Sequence, residues 1–453
     1  MAGDWQEVTV VDVASAGRNA LVGGPFGSDL VSRDYVDHGV PVIRGQNMGD
    51  RWVGGDFVFV TPAKAASLAA NIARAGDIVF TQRGTLGQVS LVPDAPFDRY
   101  LVSQSQMKLT VNRELADPLF FYYVFRDIEQ QDYIRRNAIQ TGVPHTNLGI
   151  LRATPVPLPP IAEQRAIARI LGTLDDKIEL NRRLNETLEA IARALFTSWF
   201  VDFDPVRAKS EGRDPSLPPH LADLFPDSFE GSELGEIPKG WGTLRLGDLL
   251  VLDKGLSYKG QFLGETGMPM VNLGCFLGRG RFAQTAMKHY SGEFKDRHVV
   301  RPRDLLVANT DLTQKREVIG SPALIPPQEG LDELLFTHHV FAARFREGQE
   351  RWKLFVYFSL LQEEFRERAT GFATGTTVLA LPRDAILGLQ FSAPPPALIG
   401  AFGSMVLSAV EGQWKALDES ATLATVRDTL LPKLFSGELR VKDAERIVAG
   451  AGV

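Results

Sequence analysis

Two short clusters carry the residue types of acid–base or metal chemistry, Asp175-Asp176-Lys177 and Glu293-Phe294-Lys295. A metal nuclease gathers several carboxylates and a lysine around its cation, and each cluster lacks a second motif to complete the set. The first also falls in a long helical pattern, where acids and bases form surface pairs. His338-His339 are adjacent, and neighbours in a strand point to opposite faces, which sets them against sharing one ion. The single cysteine, Cys275, excludes an intramolecular disulfide and a zinc site built on several thiolates. No Gly-Lys-Ser or Gly-Lys-Thr step provides a phosphate loop. A methyltransferase acting on adenine carries Asp/Asn-Pro-Pro-aromatic, but the Pro-Pro steps at 159–160, 218–219, 326–327 and 394–396 precede Ile, His, Gln and Ala. Gly24-Pro25-Phe26-Gly27 reads as a glycine turn, and no Ser/His/Asp set stands out. These residues point to binding and not to bond-making.

The elements that hold them occur twice. Gly39-Val40-Pro41-Val42-Ile43 corresponds to Gly267-Met268-Pro269-Met270-Val271, and Gly76-Asp77-Ile78-Val79-Phe80 to Arg303-Asp304-Leu305-Leu306-Val307. Leu119-Phe120-Phe121-Tyr122-Tyr123 corresponds to Leu354-Phe355-Val356-Tyr357-Phe358. A Thr-Gly step (Thr141, Thr374) and then a proline stop (157–160, 394–396) follow in each copy. Matches in fixed order are the signature of an internal repeat. Strand-like stretches at 40–43, 78–80, 88–92, 305–308 and 323–325, with helices expected at 118–136 and 351–368, make each copy α+β.

Each proline stop opens a long amphipathic helix. Ile170, Leu174, Ile178, Leu184, Leu188, Ile191 and Leu195 stripe the first, and Phe402, Val406, Val410, Leu417 and Leu430 the second. Each stripe needs an apolar partner, and mutual antiparallel coiled-coil pairing provides one. About forty residues make a rod of about 60 Å. The expected organisation is a first domain at 1–157, a spacer helix at 158–201, a connector at 202–237, a second domain at 238–395, a second spacer helix at 396–440 and a tail at 441–453. The connector is expected to be extended, because its prolines break regular structure.

The net charge of −6 looks unsuited to a partner made of phosphates. Residues 201–235 hold 3 basic and 8 acidic side chains, so most of the excess acid lies in the connector. Residues 279–303 instead carry Arg279, Arg281, Lys288, Lys295, Arg297, Arg301 and Arg303 against Glu293 and Asp296. No run of 18 apolar residues spans a membrane and the N-terminus lacks a secretion signal, so a cytoplasmic protein is expected.

Pro157-Leu158-Pro159-Pro160-Ile161-Ala162-Glu163-Gln164-Arg165, Trp199-Phe200-Val201-Asp202-Phe203-Asp204-Pro205-Val206 and Gly235-Glu236-Ile237-Pro238-Lys239-Gly240-Trp241 resemble the central region of type I restriction-modification specificity subunits. The resemblance covers essentially the whole chain and includes the repeat order. It implies two tandem α+β target recognition domains on two long antiparallel coiled-coil helices, in a pseudo-two-fold repeat. Each domain would read one half of a split, asymmetric site in double-stranded DNA. The helices would set the half-site spacing and dock modification subunits, expected to be two. The resemblance also implies separate restriction subunits and no catalytic residue on this chain. No cofactor is expected on this chain, with S-adenosylmethionine, ATP and Mg carried by the partners.

Polar residues near loops are the candidates for touching DNA. In the first copy these are Gln46, Asn47, Gln82, Arg83, Thr85, Gln104, Thr141, His145 and Asn147, and Arg83 is of the type that pairs with guanine or a phosphate. In the second they are Lys254, Tyr258, Lys259, Asn272, Asn309, Thr374, Thr376 and Thr377. Two alternatives stay open: a fused methyltransferase-nuclease enzyme, which the missing motifs disfavour, and a coiled-coil scaffold that binds only proteins.

Overall fold

The computed structural model describes residues 5–140, 144–311, 318–375 and 379–450. The chain divides into two compact units, residues 1–181 with 419–453, and residues 182–418. Each takes one half of each long helix.

In the first unit, strands β1 (Leu21–Gly23), β2 (Tyr35–Val36), β3 (Val40–Ile43), β4 (Val58–Val60), β5 (Ile72–Ala73), β6 (Ile78–Thr81), β7 (Val89–Leu91), β8 (Tyr100–Val102) and β9 (Gln106–Leu109) form two sheets. One has the order β2-β4-β3-β8-β5 and the other β1-β9-β6-β7. Strands β3, β6 and β8 are apolar or nearly so and buried throughout, and β9 is equally buried with Lys108 held by Asp77. Helix α1 (Pro118–Arg126) is separated from α2 (Ile128–Asn137) by Asp127, whose backbone is extended and whose carboxylate caps α2 by accepting from Glu129 N–H. The expected single helix at 118–136 is therefore two. Helix α3 (Leu148–Ala153) leads to the long helix α4 (Ile161–Phe200).

The second unit repeats this plan. Strands β10 (Leu250–Lys254), β11 (Leu263–Gly264), β12 (Met268–Val271), β13 (Lys288–Tyr290), β14 (Val299–Val300), β15 (Leu305–Ala308), β16 (Pro322–Leu324), β17 (Leu334–Phe336) and β18 (Val340–Phe345) give the orders β11-β13-β12-β17-β14 and β10-β18-β15-β16. Every strand number is its counterpart's plus nine. The turn before β3 shows why this repeat constrains sequence. Gly39 and Gly267 have φ of +148° and +119°, and a Cβ on either would strike the carbonyl oxygen of Val60 or Tyr290. Helices α5 (Lys353–Leu360), α6 (Glu363–Gly371) and α7 (Arg383–Leu387) follow, then α8 (Pro396–Phe435) and α9 (Val441–Gly450).

Within the first unit α4 and α8 run antiparallel. Asp175 contacts Arg427 while Lys177 and Asn181 contact Glu419. Within the second, Gln413 donates to the Asn185 carbonyl at 3.2 Å and Phe196 meets Phe402 at 5.7 Å, again antiparallel. The seam on α4 follows Leu174, Ile178, Asn181, Asn185, Leu188, Ala192, Leu195 and Trp199, the 3.5-residue spacing of a coiled coil. Buried Ile170 and Leu430 join the first core, and buried Val406 and Val410 the second. Leu184, Ile191 and Leu417 are corrections: they are 44%, 57% and 52% exposed. Each lies one position off the seam, beside Asn185, Ala192 and Ala416, where small or polar residues let the helices approach.

Two more expectations change. The connector is folded: helix 204–210 and the hairpin of Phe229–Ser232 with Gly235–Pro238 interrupt it. Buried Val206, Phe225 and Ile237 join Trp199 and Trp241 in the second core. The tail is also folded, because α9 buries Ala444 and Val448 in the first core.

Candidate nucleic-acid interface

In each unit three stretches distant in sequence meet at one end of the four-stranded sheet. In the first, β6 ends at Thr81, and the Gln82 N–H donates to the Ser105 carbonyl at 2.7 Å while its carbonyl accepts from Thr146 N–H at 3.0 Å. Arg83 then bridges to His145. Residues 82–83, 103–105 and 144–147 thus share one edge. In the second unit Asn309 N–H donates to the His339 carbonyl at 3.0 Å and its carbonyl accepts from Leu381 N–H at 2.8 Å. Thr310-Asp311 pairs with Leu379-Ala380. The backbone wiring is the same, and the side chains it presents differ.

A fourth loop joins each edge. A Cβ on Gly24 would lie 1.8 Å from the Ser103 carbonyl oxygen, and one on Gly255 would lie 2.3 Å from that of Thr337. These glycines allow loop 24–30 to pass under 103–105, and 255–260 under 337–339. Loop 24–30 carries Phe26, which is 86% exposed. The second loop carries Tyr258 and Lys259, and Lys288 Nζ lies 6.0 Å from the Tyr258 ring.

Several candidate side chains prove to be engaged by the frame. Asn47 is buried and donates to the Gly54 and Asp56 carbonyls, and Gln46 also donates to Asp56. Asn272, which begins the matching turn of the second copy, donates to Ala286 and accepts from Gly274 N–H. Gln104 donates to the Gly27 and Leu30 carbonyls, Asn147 caps α3, and buried Asn309 donates to the His338 carbonyl. Thr374 bridges to Ala380 through its backbone alone and is itself exposed. Arg83, Thr85, Lys254 and Lys259 are exposed, and Gln82, His145 and Tyr258 are half-buried. Among the described residues Arg83 has no ion-pair partner. Thr141, Thr376 and Thr377 lie outside the described residues.

His338 and His339 lie in a turn and not in a strand, so their rings lie together, centroids 4.0 Å apart and tilted by 38°, instead of facing opposite ways. The Thr310 hydroxyl lies 2.9 Å from His339 Nδ1, and the Tyr258 ring is 6.1 Å from that of His338. Burial, then the neighbouring His338 and Lys254, holds His339 below the usual histidine range. It therefore presents a neutral ring near pH 7, able to donate and accept. These histidines and Phe26 were not singled out as binding residues. Their signal was positional: each sits next to a candidate loop glycine or strand end.

Among the described residues no three His, Cys, Asp or Glu side chains are placed to hold a metal ion, and no helix is long and apolar enough to cross a membrane. The edge offers hydrogen-bond donors and acceptors, aromatic rings and cations on a rigid sheet end, the chemistry of groove contact.

Residues 3–190 match the family model for the type I restriction modification DNA specificity domain. The Type I restriction enzyme HindI specificity subunit of Haemophilus influenzae is 24% identical over 488 residues, spanning 96% of this chain and 100% of that protein. The MjaIX specificity subunit of Methanocaldococcus jannaschii is 24% identical over 455 residues, spanning 97% and 94%. In fold, the S subunit of the type I restriction-modification system from M. genitalium superposes with a TM-score of 0.59 at 16% identity, covering 95% of this chain and 96% of that one. A domain model matching the first part of the chain, relatives aligned nearly end to end and a shared fold agree: the chain is similar along nearly its whole length to type I restriction-modification specificity subunits.

Proposed function

We infer that this chain is the DNA sequence-specificity subunit of a type I restriction-modification complex, each unit reading one half of a bipartite, asymmetric site. One observation carries the reading: the same backbone wiring builds both edges while the residues on them diverge, Gln82-Arg83 with His145 against Asn309-Thr310 with Ala380. A shared frame positions a reader against DNA, and different side chains read different words.

The chain makes no bonds itself. Two modification subunits dock on it and methylate adenine with S-adenosylmethionine, and restriction subunits use ATP and Mg to translocate and cut. The complex works in the cytoplasm, where its DNA is. Mapping methylated adenines in cells that express this chain with its modification partner tests the reading. A two-part motif with a fixed gap is expected. A continuous motif, or none with an active partner, would overturn it.

A further inference from the structure

The repeat supplies its own control for a second site, at the end of the sheets away from the reading edge. Strands β5 and β8 pair antiparallel, with Ala73 opposite Tyr100, so the next residues outward, Arg74 and Arg99, face one another. In the second copy Val300 lies opposite Leu334, and the next pair is Arg301 and Glu333, joined by a salt bridge of 2.6 Å. Like charges directly across strands destabilise a sheet. The first copy thus holds two arginines where the second holds an ion pair.

The arginines border a cavity of about 430 Å³, within the first unit, that Lys108 and Arg113 also line. Asp77 is the one acid in its lining, and it is already bound by Lys108 at 3.3 Å and by the Thr110 hydroxyl at 2.6 Å. Arg113 donates to the Ala75 carbonyl, and Arg99 comes no nearer than 4.0 Å to its neighbour Asp98. At the same sheet end of the second copy Ala342 stands where the first has Lys108, and the nearby arginines are paired: Arg344 with Asp253 and Asp304, and Arg303 with Glu411. The opposite wall of the cavity is apolar, formed by Ala65, Ala69 and Ile72.

We propose that this cavity binds a small phosphorylated molecule, its phosphoryl groups between Arg74 and Arg99 and its compact body against the alanine wall. Planar guanidinium groups suit phosphate oxygens, and the excess positive charge is neutralised only when an anion enters. The site lies beside Asp77, where β6 begins. Gln82 and Arg83 follow its other end, so reading DNA leaves the cavity free.

Isothermal titration of the full chain with pyrophosphate and with ADP tests this. Saturable one-to-one binding is expected, weakened about tenfold or more in R74E and in R99A. R74E sets opposite charges across the strands, as Arg301 and Glu333 are in the second copy though in reversed order, so the variant is expected to fold. No saturable binding of either probe, or equal affinity in R74E, overturns the proposal. Displacement of pyrophosphate by random-sequence duplex DNA also overturns it, by assigning the cations to the DNA backbone. With the modification partner present, R74E is expected to leave the methylated motif unchanged; an altered motif would make the cavity part of the reader.

Discussion

The Arg427 guanidinium lies 2.6 Å from the Asp175 carboxylate, and the Tyr123 hydroxyl donates to the other carboxylate oxygen at 2.6 Å. Burial, then the Asp175 charge, pushes the Tyr123 phenol far above its ordinary range, so it stays a donor. Asp176 pairs with Arg51, and Lys177 with Glu419 at 3.3 Å. The cluster that first suggested metal chemistry thus joins α4 to α1, to the loop after β3 and to α8. The Asp175 and Arg427 side chains are 10% and 16% exposed, so breaking the pair leaves the nearly buried Arg427 with only its exposed neighbour Asp428, at 2.8 Å. D175N should destabilise this unit by about 3 kcal/mol. Urea denaturation reads it, and an unchanged midpoint would show the pair to be dispensable.

Arg83 is exposed beside His145 at the first reading edge. R83A should relax one position of one half-site, costing about 1–3 kcal/mol of discrimination, and leave the other half-site intact. Sequencing of methylated sites separates this from a general loss of DNA affinity, which would make Arg83 a phosphate contact.

Seven residues inserted into α4 after Asn181 and seven into α8 before Glu419 preserve the coiled-coil register. Each helix grows by about 10 Å, close to three base pairs at about 3.4 Å each. The gap in the methylated motif should lengthen while both words persist. A change in either word would mean that the helices do more than space the readers.

Phe225 is 2% exposed and meets Trp199 at 5.2 Å. F225A should cost the second unit about 3–5 kcal/mol, read by chemical denaturation. A loss near zero would return the connector to the extended crossing that its prolines suggest.

His298 and His339 both lie below the ordinary histidine value of 6.5. Burial is the main cause for each, with Arg297 and Lys295 adding at His298, and His338 and Lys254 at His339. Below that value the unfolded chain takes up protons that the folded chain resists, so stability is present above it and lost as pH falls. The denaturation midpoint of the second unit should drop between pH of about 7.5 and about 5.5. H298Q combined with H339Q should flatten that fall.

The strands at 40–43 and 305–308, the repeat and both long helices were legible because burial on both faces and helical periodicity leave marks in the chain itself. The seam through Asn181 and Asn185 was not: polar residues at seam positions look like surface, and Leu184 and Ile191 beside them look like core. Connector and tail were missed because few apolar residues anchor them, Val206, Phe225 and Ile237 in one and Ala444 and Val448 in the other. Candidate loops could be named, but the meeting of Arg83 with His145 depends on strand order, which no local pattern encodes. Nor does a local pattern show whether Asn47 faces a groove or its own backbone.

The division of the chain sets an order in time. Residues 182–418 form one unit without interruption, whereas the unit that begins the chain is closed by residues from 419 onward. During synthesis the later domain has all its parts while the earlier one still lacks Leu423, Leu430 and Leu434, which complete its core. The reader translated first is therefore finished last, and a ribosome that stalls before residue 419 releases a chain able to complete only its second reader.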